Sequence, residues 1–119
     1  MFKESLATLL DNLPGARSAT VMGFDGIAID SVDAADALGD EQSAAVELAA
    51  VTTQLRRAAE GLGAGDVQEV TLETERQVTL LRPLTSEYLL AVTLARQGFI
   101  GQARYRMRVI APKLAAELS

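Results

Sequence analysis

The chain has 119 residues, a net charge of −5, and neither cysteine nor histidine. A chain of this length forms a single domain, here residues 1–119. Because 49% of its residues are hydrophobic but only 4% are aromatic, we expect one aliphatic core. The lack of cysteine and histidine excludes a disulfide framework, Ser–His and Cys–His nucleophile pairs, and the usual zinc sites.

The same composition restricts the partners and the location of the protein. A net negative charge argues against a uniform nucleic-acid-binding surface. The sequence contains no run of about eighteen apolar residues, so it predicts no membrane span. The N-terminal residues lack the pattern of a signal peptide. We therefore expect a cytoplasmic protein. The mean hydropathy of +0.16 indicates apolar surface that is buried against another chain.

A helix and a hairpin are predicted at the start of the chain. Apolar residues recur at helical spacing from Phe2 to Leu13, and Pro14-Gly15 ends this helix. Ser18 to Val32 then reads as a β-hairpin, because Asp25-Gly26 between alternating flanks is a strong signal for a type I′ turn. One side of the hairpin needs a cover, which the rest of the chain is expected to supply.

The longest helical pattern runs from Glu41 to Leu62, after an acidic loop from Asp33 to Gly39. Asp40 is a good N-cap for this helix, and three glycines at 61, 63 and 65 end it. Alanines make its first half apolar nearly all round, which a helix with one buried face does not require. The pattern indicates two covered faces, one on a sheet and one on another helix; alternatively, alanine is present simply as a good helix former.

A strand with one wet side is predicted next, over Val67 to Thr74. Its alternation favours a position at the edge of a sheet. The inward residues are Val70 and Leu72, and the outward residues are Glu69, Thr71 and Glu73.

The remaining elements are two strands and a helix. After a turn at Glu75-Arg76, a strand runs from Gln77 to Leu84, and the nearly all-apolar Tyr88 to Leu94 is typical of a central strand covered on both faces. A last helix covers Ile100 to Leu118, and Pro112 should kink or restart it. The order α-β-β-α-β-β-β-α predicts an α+β sandwich with a five-stranded antiparallel sheet.

These features together resemble the Roadblock / dynein light-chain superfamily over essentially the whole chain. The resemblance is carried by V-M-G-F-D-G-I-A-I-D-S-V (Val21 to Val32), the alanine-rich second helix, the strand from Tyr88 to Leu94, and the glycine loop that leads into Gly101 to Leu114. Within the superfamily the chain is most similar to the small bacterial MglB and MglC group of gliding-motility proteins, which partner Ras-like GTPases. None of these motifs is catalytic.

The resemblance implies a fold and a mode of action. It implies the sheet order 2-1-5-4-3, with the first and last helices on one face and the middle helix on the other. It also implies homodimers formed through the middle helix and the third strand, and a role as regulator or scaffold of a small GTPase. The predicted dimer residues are Val46, Ala49, Ala50, Thr53, Arg57, Glu69, Thr71 and Glu73.

The hairpin tip is the candidate surface for a different partner. Large apolar side chains beside a charge are typical of interfaces, and Phe24 and Ile27 flank the Asp25-Gly26 turn. The predicted partner surface is therefore Phe24 to Ile27, with Arg56 on the middle helix. The alternative is that Phe24 points into the core.

Carboxylates offer two further candidate sites, both of which we read as structural. Asp33, Asp36, Asp40 and Glu41 could ligate calcium, but their spacing does not match an EF-hand loop, so a solvated loop and helix cap is the better interpretation. Asp25 and Asp30 could form a catalytic pair, but Asp25 is a typical turn residue.

Arginines on two helices could contact a partner. Arg56 or Arg57 could act as an arginine finger on a GTPase, or simply form a solvated helix face with Glu60. The cations of the last helix could be solvated, contact an acidic partner or touch anionic lipid; they are Arg104, Arg106, Arg108 and Lys113.

We therefore expect a homodimeric adaptor or regulator of a Ras-like GTPase complex that is not an enzyme and holds no metal or cofactor. The absence of a P-loop indicates that the chain is not itself a GTPase. Its partner would be the GTPase, another regulator of the Roadblock superfamily, or both. One alternative is direct activation of GTP hydrolysis. Another, from a different class, is a small-ligand sensor of PAS-like or profilin-like architecture, which would need an enclosed cavity with convergent polar groups.

Overall fold

A five-stranded antiparallel sheet with helices on both faces forms the domain. The computed structural model describes residues 2–34, 41–96 and 98–118. The elements in chain order are α1 (Lys3–Asp11), β1 (Ala16–Gly23), β2 (Ala28–Asp33), α2 (Glu41–Gly61), β3 (Val70–Glu73), β4 (Gln77–Pro83), β5 (Tyr88–Ala95) and α3 (Ile100–Leu118). The predicted order of elements is confirmed.

The strands lie in the order β2-β1-β5-β4-β3, and every neighbouring pair is antiparallel. A hairpin joins β1 to β2, a meander joins β3, β4 and β5, and pairing of β1 with β5 unites the two. The central strand β5 is buried along its length except at its two end residues, as its continuous apolar sequence predicts. The implied order 2-1-5-4-3 is therefore confirmed.

One face of the sheet is covered by both terminal helices. The buried residues of α1 and α3 recur at intervals of three or four, so each helix presents one apolar stripe to the sheet. The strands meet them with alternate residues, as the two-residue period of a strand requires. The buried residues of this core include Leu6, Leu9 and Leu10 of α1, Met107 and Leu114 of α3, and Val21, Leu80, Leu90 and Val92 of the sheet.

The other face of the sheet is covered, among the described elements, by α2 alone. Ala45, Leu48 and Ala49 pack in a second core with Met22, Leu81, Leu89 and Ala91. Thr52 is fully buried on the same side of α2, and its hydroxyl donates to the carbonyl of Leu48 at 2.7 Å. The expected division, with one helix on one face and two on the other, is therefore present.

The third strand is shorter than its sequence pattern predicts. It pairs with β4 only from Val70 to Glu73, although alternation begins at Val67. If the pairing continued towards the start of β3, Gln68 would lie opposite Pro83 of β4. Proline has no N–H to donate to the neighbouring strand. Leu72 shares the inward side of the strand with Val70, as predicted, but its side chain is 44% exposed because the cover of the sheet ends before this position.

Other differences from the sequence prediction are small. Helix α1 is shorter by one residue at its start and two at its end, and β1 begins at Ala16 instead of Ser18. Helix α3 continues through Pro112 without restarting. The predicted Asp40 cap and most of the predicted Asp33–Gly39 loop lie outside the described residues. Within the part of the chain that the structure describes, no helix is long and apolar enough to cross a membrane.

A strand carboxylate caps α1 in place of a side chain from the helix itself. The backbone N–H of Phe2 donates to Oδ2 of Asp30 at 2.8 Å, which satisfies one donor that a helix start leaves without a partner. This hydrogen bond, with the nearby charge of Lys3, lowers the pKa of Asp30. The cap fastens α1 to the edge strand β2.

We expect Asp30→Asn to lower the melting temperature at pH 7, because the amide keeps the shape but loses the charge that the Phe2 N–H favours. Folding lowers the pKa of Asp30. The carboxylate therefore contributes to the stability of the folded state above the unfolded pKa, and this contribution is lost as the pH falls through the folded pKa. The deficit should therefore shrink below about pH 4. Thermal unfolding of both proteins between pH 7 and pH 2.5 measures this.

The matched control is Asp33→Asn, which removes an exposed carboxylate from the same strand. A deficit of Asp30→Asn that stayed constant across the whole pH range would show that the carboxylate charge is not what fastens α1.

Candidate interaction surfaces

The hairpin tip is a three-residue loop closed by a glycine. The N–H of Gly26 donates to the carbonyl of Gly23 at 2.9 Å, and the N–H of Gly23 donates to the carbonyl of Ile27 at 3.0 Å. Gly26 has a φ of +87°, whereas no described non-glycine residue has a positive φ. The predicted type I′ turn, which needs positive φ at Asp25 as well, is therefore wrong; the loop matches a turn followed by a glycine bulge.

Asp25 and Asp30 serve separate structural purposes. Oδ1 of Asp25 accepts the N–H of Ile27 at 3.0 Å and so fixes the loop, whereas Asp30 caps α1. The interpretation of Asp25 as a turn residue is confirmed by this bond.

Phe24 lies between the core and the surface. It is half-buried and packs against the core under α2, and its N–H donates to the carbonyl of Glu87 at 3.0 Å. The Arg56 guanidinium lies 4.1 Å from the centre of its ring and donates to the carbonyl of Ser86 at 3.2 Å. Arg56 therefore covers Phe24 and ties α2 to the β4–β5 turn.

The exposed part of the tip continues onto α2. A Cβ built on Gly26 would lie 3.1 Å from Cγ1 of Val46, so the loop is in close contact with the helix. Ile27 is 68% exposed beside it, and Val46 is 37% exposed. We call Asp25, Gly26, Ile27 and Val46 the hairpin surface. It is apolar with one carboxylate.

A second apolar surface runs along α2. Val51, Leu55, Ala58 and Leu62, here named the outer stripe, follow one another at intervals of four, three and four residues and therefore share one side of the helix. All four are exposed, and the helical pattern reaches the last of them because the N–H of Leu62 donates to the carbonyl of Ala58 at 3.0 Å. Such a continuous apolar row is typical of a contact surface.

Leu72 of β3 extends this apolar region to the sheet edge. It is paired with Thr79, two residues along from the pair of Val70 with Leu81, and Val70 and Leu81 belong to the core under α2. Leu72 therefore points to the α2 side of the sheet. Because β3 is the last strand of the sheet, an exposed leucine here lies beside a free strand edge, within the residues that the structure describes.

The residues predicted for the dimer fall in three separate places. Ala49 is fully buried against the sheet, so it cannot contact a second chain while the fold is intact. The others on α2 share the side of the helix that carries Val46, next to the hairpin and not on the outer stripe: Val46, Ala50, Thr53 and Arg57.

The polar residues of β3 contact their own chain on the opposite face. Nε of Arg104 donates to Oε2 of Glu69 at 2.8 Å, and Nη2 donates to the hydroxyl of Thr71 at 3.1 Å. Glu73 forms an ion pair with Arg96. These contacts hold the edge strand β3 to α3 and to the end of β5, and sequence periodicity carries no signal for them.

The predicted calcium ligands are not assembled by the described residues. Asp33 is exposed at the end of β2, while Asp36, Asp40 and the side chain of Glu41 lie outside the described residues. Among the described residues, no group of three or more carboxylates is arranged to hold a metal ion.

The comparisons with known proteins agree with the fold and its order of strands. The sequence model of the Roadblock/LC7 domain matches residues 2–94. The chain belongs to the Roadblock/LC7 domain family. The crystal structure of MglC from Myxococcus xanthus is 40% identical over 98% of each chain, with a TM-score of 0.71.

Two further solved structures share the fold at lower identity. The gliding protein MglB from Thermus thermophilus is 21% identical over 96% of this chain and 85% of its own, with a TM-score of 0.84. A structure described as MglB with a tetrameric arrangement is 22% identical over the same shares, with a TM-score of 0.85. No curated protein matches the chain.

We expect Gly26→Ala to lower the free energy of unfolding by about 1–2 kcal/mol. The strain of an L-residue at φ +87° is joined by the 3.1 Å approach to Val46. Urea unfolding monitored by circular dichroism measures the loss.

Two other glycines separate the strain from the contact. Gly63 has a φ of +65°, but a Cβ added there would meet no other atom within 4 Å. A Cβ on Gly61 would also meet nothing, and Gly61 has no positive φ. We expect Gly26→Ala to be the most destabilising, Gly63→Ala intermediate, and Gly61→Ala neutral or stabilising. Equal losses for Gly26→Ala and Gly63→Ala would show that the loop does not press on α2.

Proposed function

We propose that this protein acts as a homodimeric, non-catalytic adaptor or regulator of a Ras-like small GTPase complex in cell polarity or gliding motility. The observation that carries the proposal is the outer stripe, an exposed apolar row on the helix that covers the second face of the sheet. Membership of the Roadblock/LC7 family and 40% identity to an MglC support the biological setting.

The outer stripe and the β3 edge together form the proposed dimer surface. On α2, the exposed fractions of Val51, Leu55 and Leu62 are 47%, 41% and 81%. Leu72, on the same side of the sheet, is 44% exposed. Removing this apolar area from water favours association at about 25 cal/mol per Å². Two copies related by a two-fold axis would bury the same residues twice.

The hairpin surface is the proposed site for the GTPase or a second regulator. It lies on the other side of α2 from the outer stripe, so both surfaces can be occupied at once. Arg56 is engaged with Phe24 and Ser86, and acting as an arginine finger would require it to leave both. A positioning role for Arg56, with contacts made by the hairpin surface, therefore accounts better for the geometry than activation of GTP hydrolysis.

The small-ligand sensor is the less favoured alternative, because the groove between α1 and α3 and the grooves beside Arg56 are open to solvent and not enclosed around a ligand. The grooves beside Arg56 are lined by exposed residues such as Gly63, Gly65 and Asp66 and open at the surface. A sensor of this kind would instead surround its ligand with convergent polar groups.

Leu55→Asp is expected to convert the dimer to a monomer, because two carboxylates would be buried at the centre of the proposed interface. Sedimentation equilibrium should give twice the chain mass of 12.6 kDa for the parent protein and the single mass for the variant. The control is Val109→Asp, which places the same charge on a 60% exposed residue of α3, on the opposite face. Dimers that survive Leu55→Asp would contradict the proposed interface.

Ile27→Asp is expected to weaken binding to the GTPase complex at least about tenfold while leaving the dimer intact, because Ile27 is the most exposed apolar residue of the hairpin surface. Pull-down and titration would use the Ras-like GTPases and other Roadblock/LC7 regulators of the source organism, each GTPase loaded with GDP or a GTP analogue. Arg57→Ala, measured for GTP turnover as well as binding, separates activation from scaffolding. No binding to any of these proteins would defeat the proposed function.

A further inference from the structure

A groove runs between α1 and α3 on the face opposite α2. Its volume is about 520 Å³, and both helices supply its walls. The start of β1 pairs with the end of β5, with the N–H of Ala95 donating to the carbonyl of Gly15 at 2.8 Å. The C-terminal end of α1 therefore meets the start of α3, and the two helices run in opposite directions along the groove.

The groove has a mixed lining, in which polar residues surround an apolar surface that lies mainly on α3. Leu9 is only 4% exposed and forms part of the core, and Ile110 is half-buried beside it. On the outer wall, Val109 is 60% exposed and Tyr105 is 58% exposed. Packing against the sheet does not require large apolar side chains at these two positions, since the sheet-facing stripe of α3 is formed by Ala103, Met107, Ala111 and Leu114.

Helix α3, which forms one wall of the groove, is basic although the chain as a whole is acidic, and the charged side chains that line the groove are two cations and two carboxylates. Helix α3 contains four of the 11 cations and one of the 16 carboxylates of the chain, so it carries +3 while the remainder carries −8. Arg104 is engaged with Glu69. Arg106 and Lys113 line the groove, and Arg108 lies 6.0 Å from the ring centre of Tyr105.

The charges are also unequal along the groove. Arg106 and Asn12 lie at the end where α1 finishes and α3 begins. The two lining carboxylates, Glu4 and Glu117, belong to the start of α1 and the end of α3, so the antiparallel arrangement places both at the far end. Arg106 therefore lies at the end of the groove away from both carboxylates, whereas Lys113 lies one helical turn before Glu117.

We propose that this groove binds an amphipathic helix of a partner protein, with the apolar face of that helix on Tyr105, Val109 and Ile110 and an acidic end beside Arg106. Helices recognised in grooves use anchors at i, i+3, i+4 and i+7. The nine residues of α1 form a wall about 13 Å long, which corresponds to between two and three helical turns of such a partner. Charge complementarity fixes both the acidic character and the direction of the partner helix.

The same features disfavour a membrane as the occupant. An anionic membrane would meet Glu4 and Glu117 as well as the cations, and it could not enter a concave groove between two helices. A second copy of the chain is distinguished by the test below, because it would appear as self-association that Val109→Asp abolishes. The groove also lies on the opposite face from the outer stripe and the hairpin surface, so this proposal is independent of the proposed function.

The test uses two synthetic 14-residue fluorescein-labelled helices with leucines at i, i+3, i+4 and i+7. One carries three glutamates at one end, and the other carries three lysines there instead. Fluorescence anisotropy measures their affinity for the full chain and for Val109→Asp, Arg106→Glu and the control Gln54→Asp, at an exposed position of α2 outside the outer stripe and the hairpin surface. Circular dichroism and thermal unfolding confirm that each variant is folded.

We expect the glutamate peptide to bind the parent chain, to bind Val109→Asp about tenfold more weakly, and to bind Gln54→Asp unchanged. Arg106→Glu should weaken binding of the glutamate peptide and strengthen binding of the lysine peptide. An arginine with only a structural role would not produce this reversal. Three results would each overturn the proposal. They are failure of both peptides to bind the parent chain, Arg106-dependent binding to phosphatidylserine vesicles without peptide binding, and self-association that is lost in Val109→Asp.

Discussion

The structure depends on the need to cover both faces of one sheet with three helices. Two helices share one face, so each needs to bury only a single stripe against the sheet. Helix α2 covers the other face, and Leu48 and Ala49 provide the sheet contact. Its remaining apolar residues, Val51 and Leu55 among them, have no partner surface among the described residues of the same chain.

A glycine in the hairpin loop permits a close approach to α2. Gly26 lies against Val46, Asp25 fixes the loop through Ile27, and Arg56 covers Phe24. These contacts make the hairpin tip a rigid extension of α2. A preorganised surface loses little conformational entropy when a partner binds, which suits a protein that acts through its surfaces.

The main features of the fold follow from local patterns in the sequence. The continuous apolar run of β5, the alternation of its neighbours and the glycines after α2 each have a physical cause within a few residues, and all these elements are found near their predicted positions. The length of β3 could not be predicted this way, because Pro83 on the neighbouring strand limits it. The hairpin loop has a similar explanation: Asp-Gly fits either a two-residue or a three-residue loop, and register with the rest of the sheet selects between them.

The candidate surfaces were only partly predictable for the same reason. Periodicity shows that α2 has more than one apolar side, but it does not identify which side the sheet occupies; Ala49 was therefore predicted at an interface although it is fully buried. Likewise, the sequence predicts that Glu69 and Thr71 lie on an open polar edge. In the structure α3 lies beside them, and Arg104 contacts both. The groove between α1 and α3 could not be predicted from periodicity, because it depends on how these two helices lie side by side on the sheet.

The central claim is that α2 of one copy packs against α2 of another, and a distance measurement between copies tests it directly. The chain has no cysteine, so Gln54→Cys, at an exposed position of α2, carries a single nitroxide label. Pulsed electron spin resonance should then report distances below about 30 Å, because packed helix axes lie about 8–10 Å apart. No distance between copies at this position, or a short distance only from a label at Val109, would contradict the account.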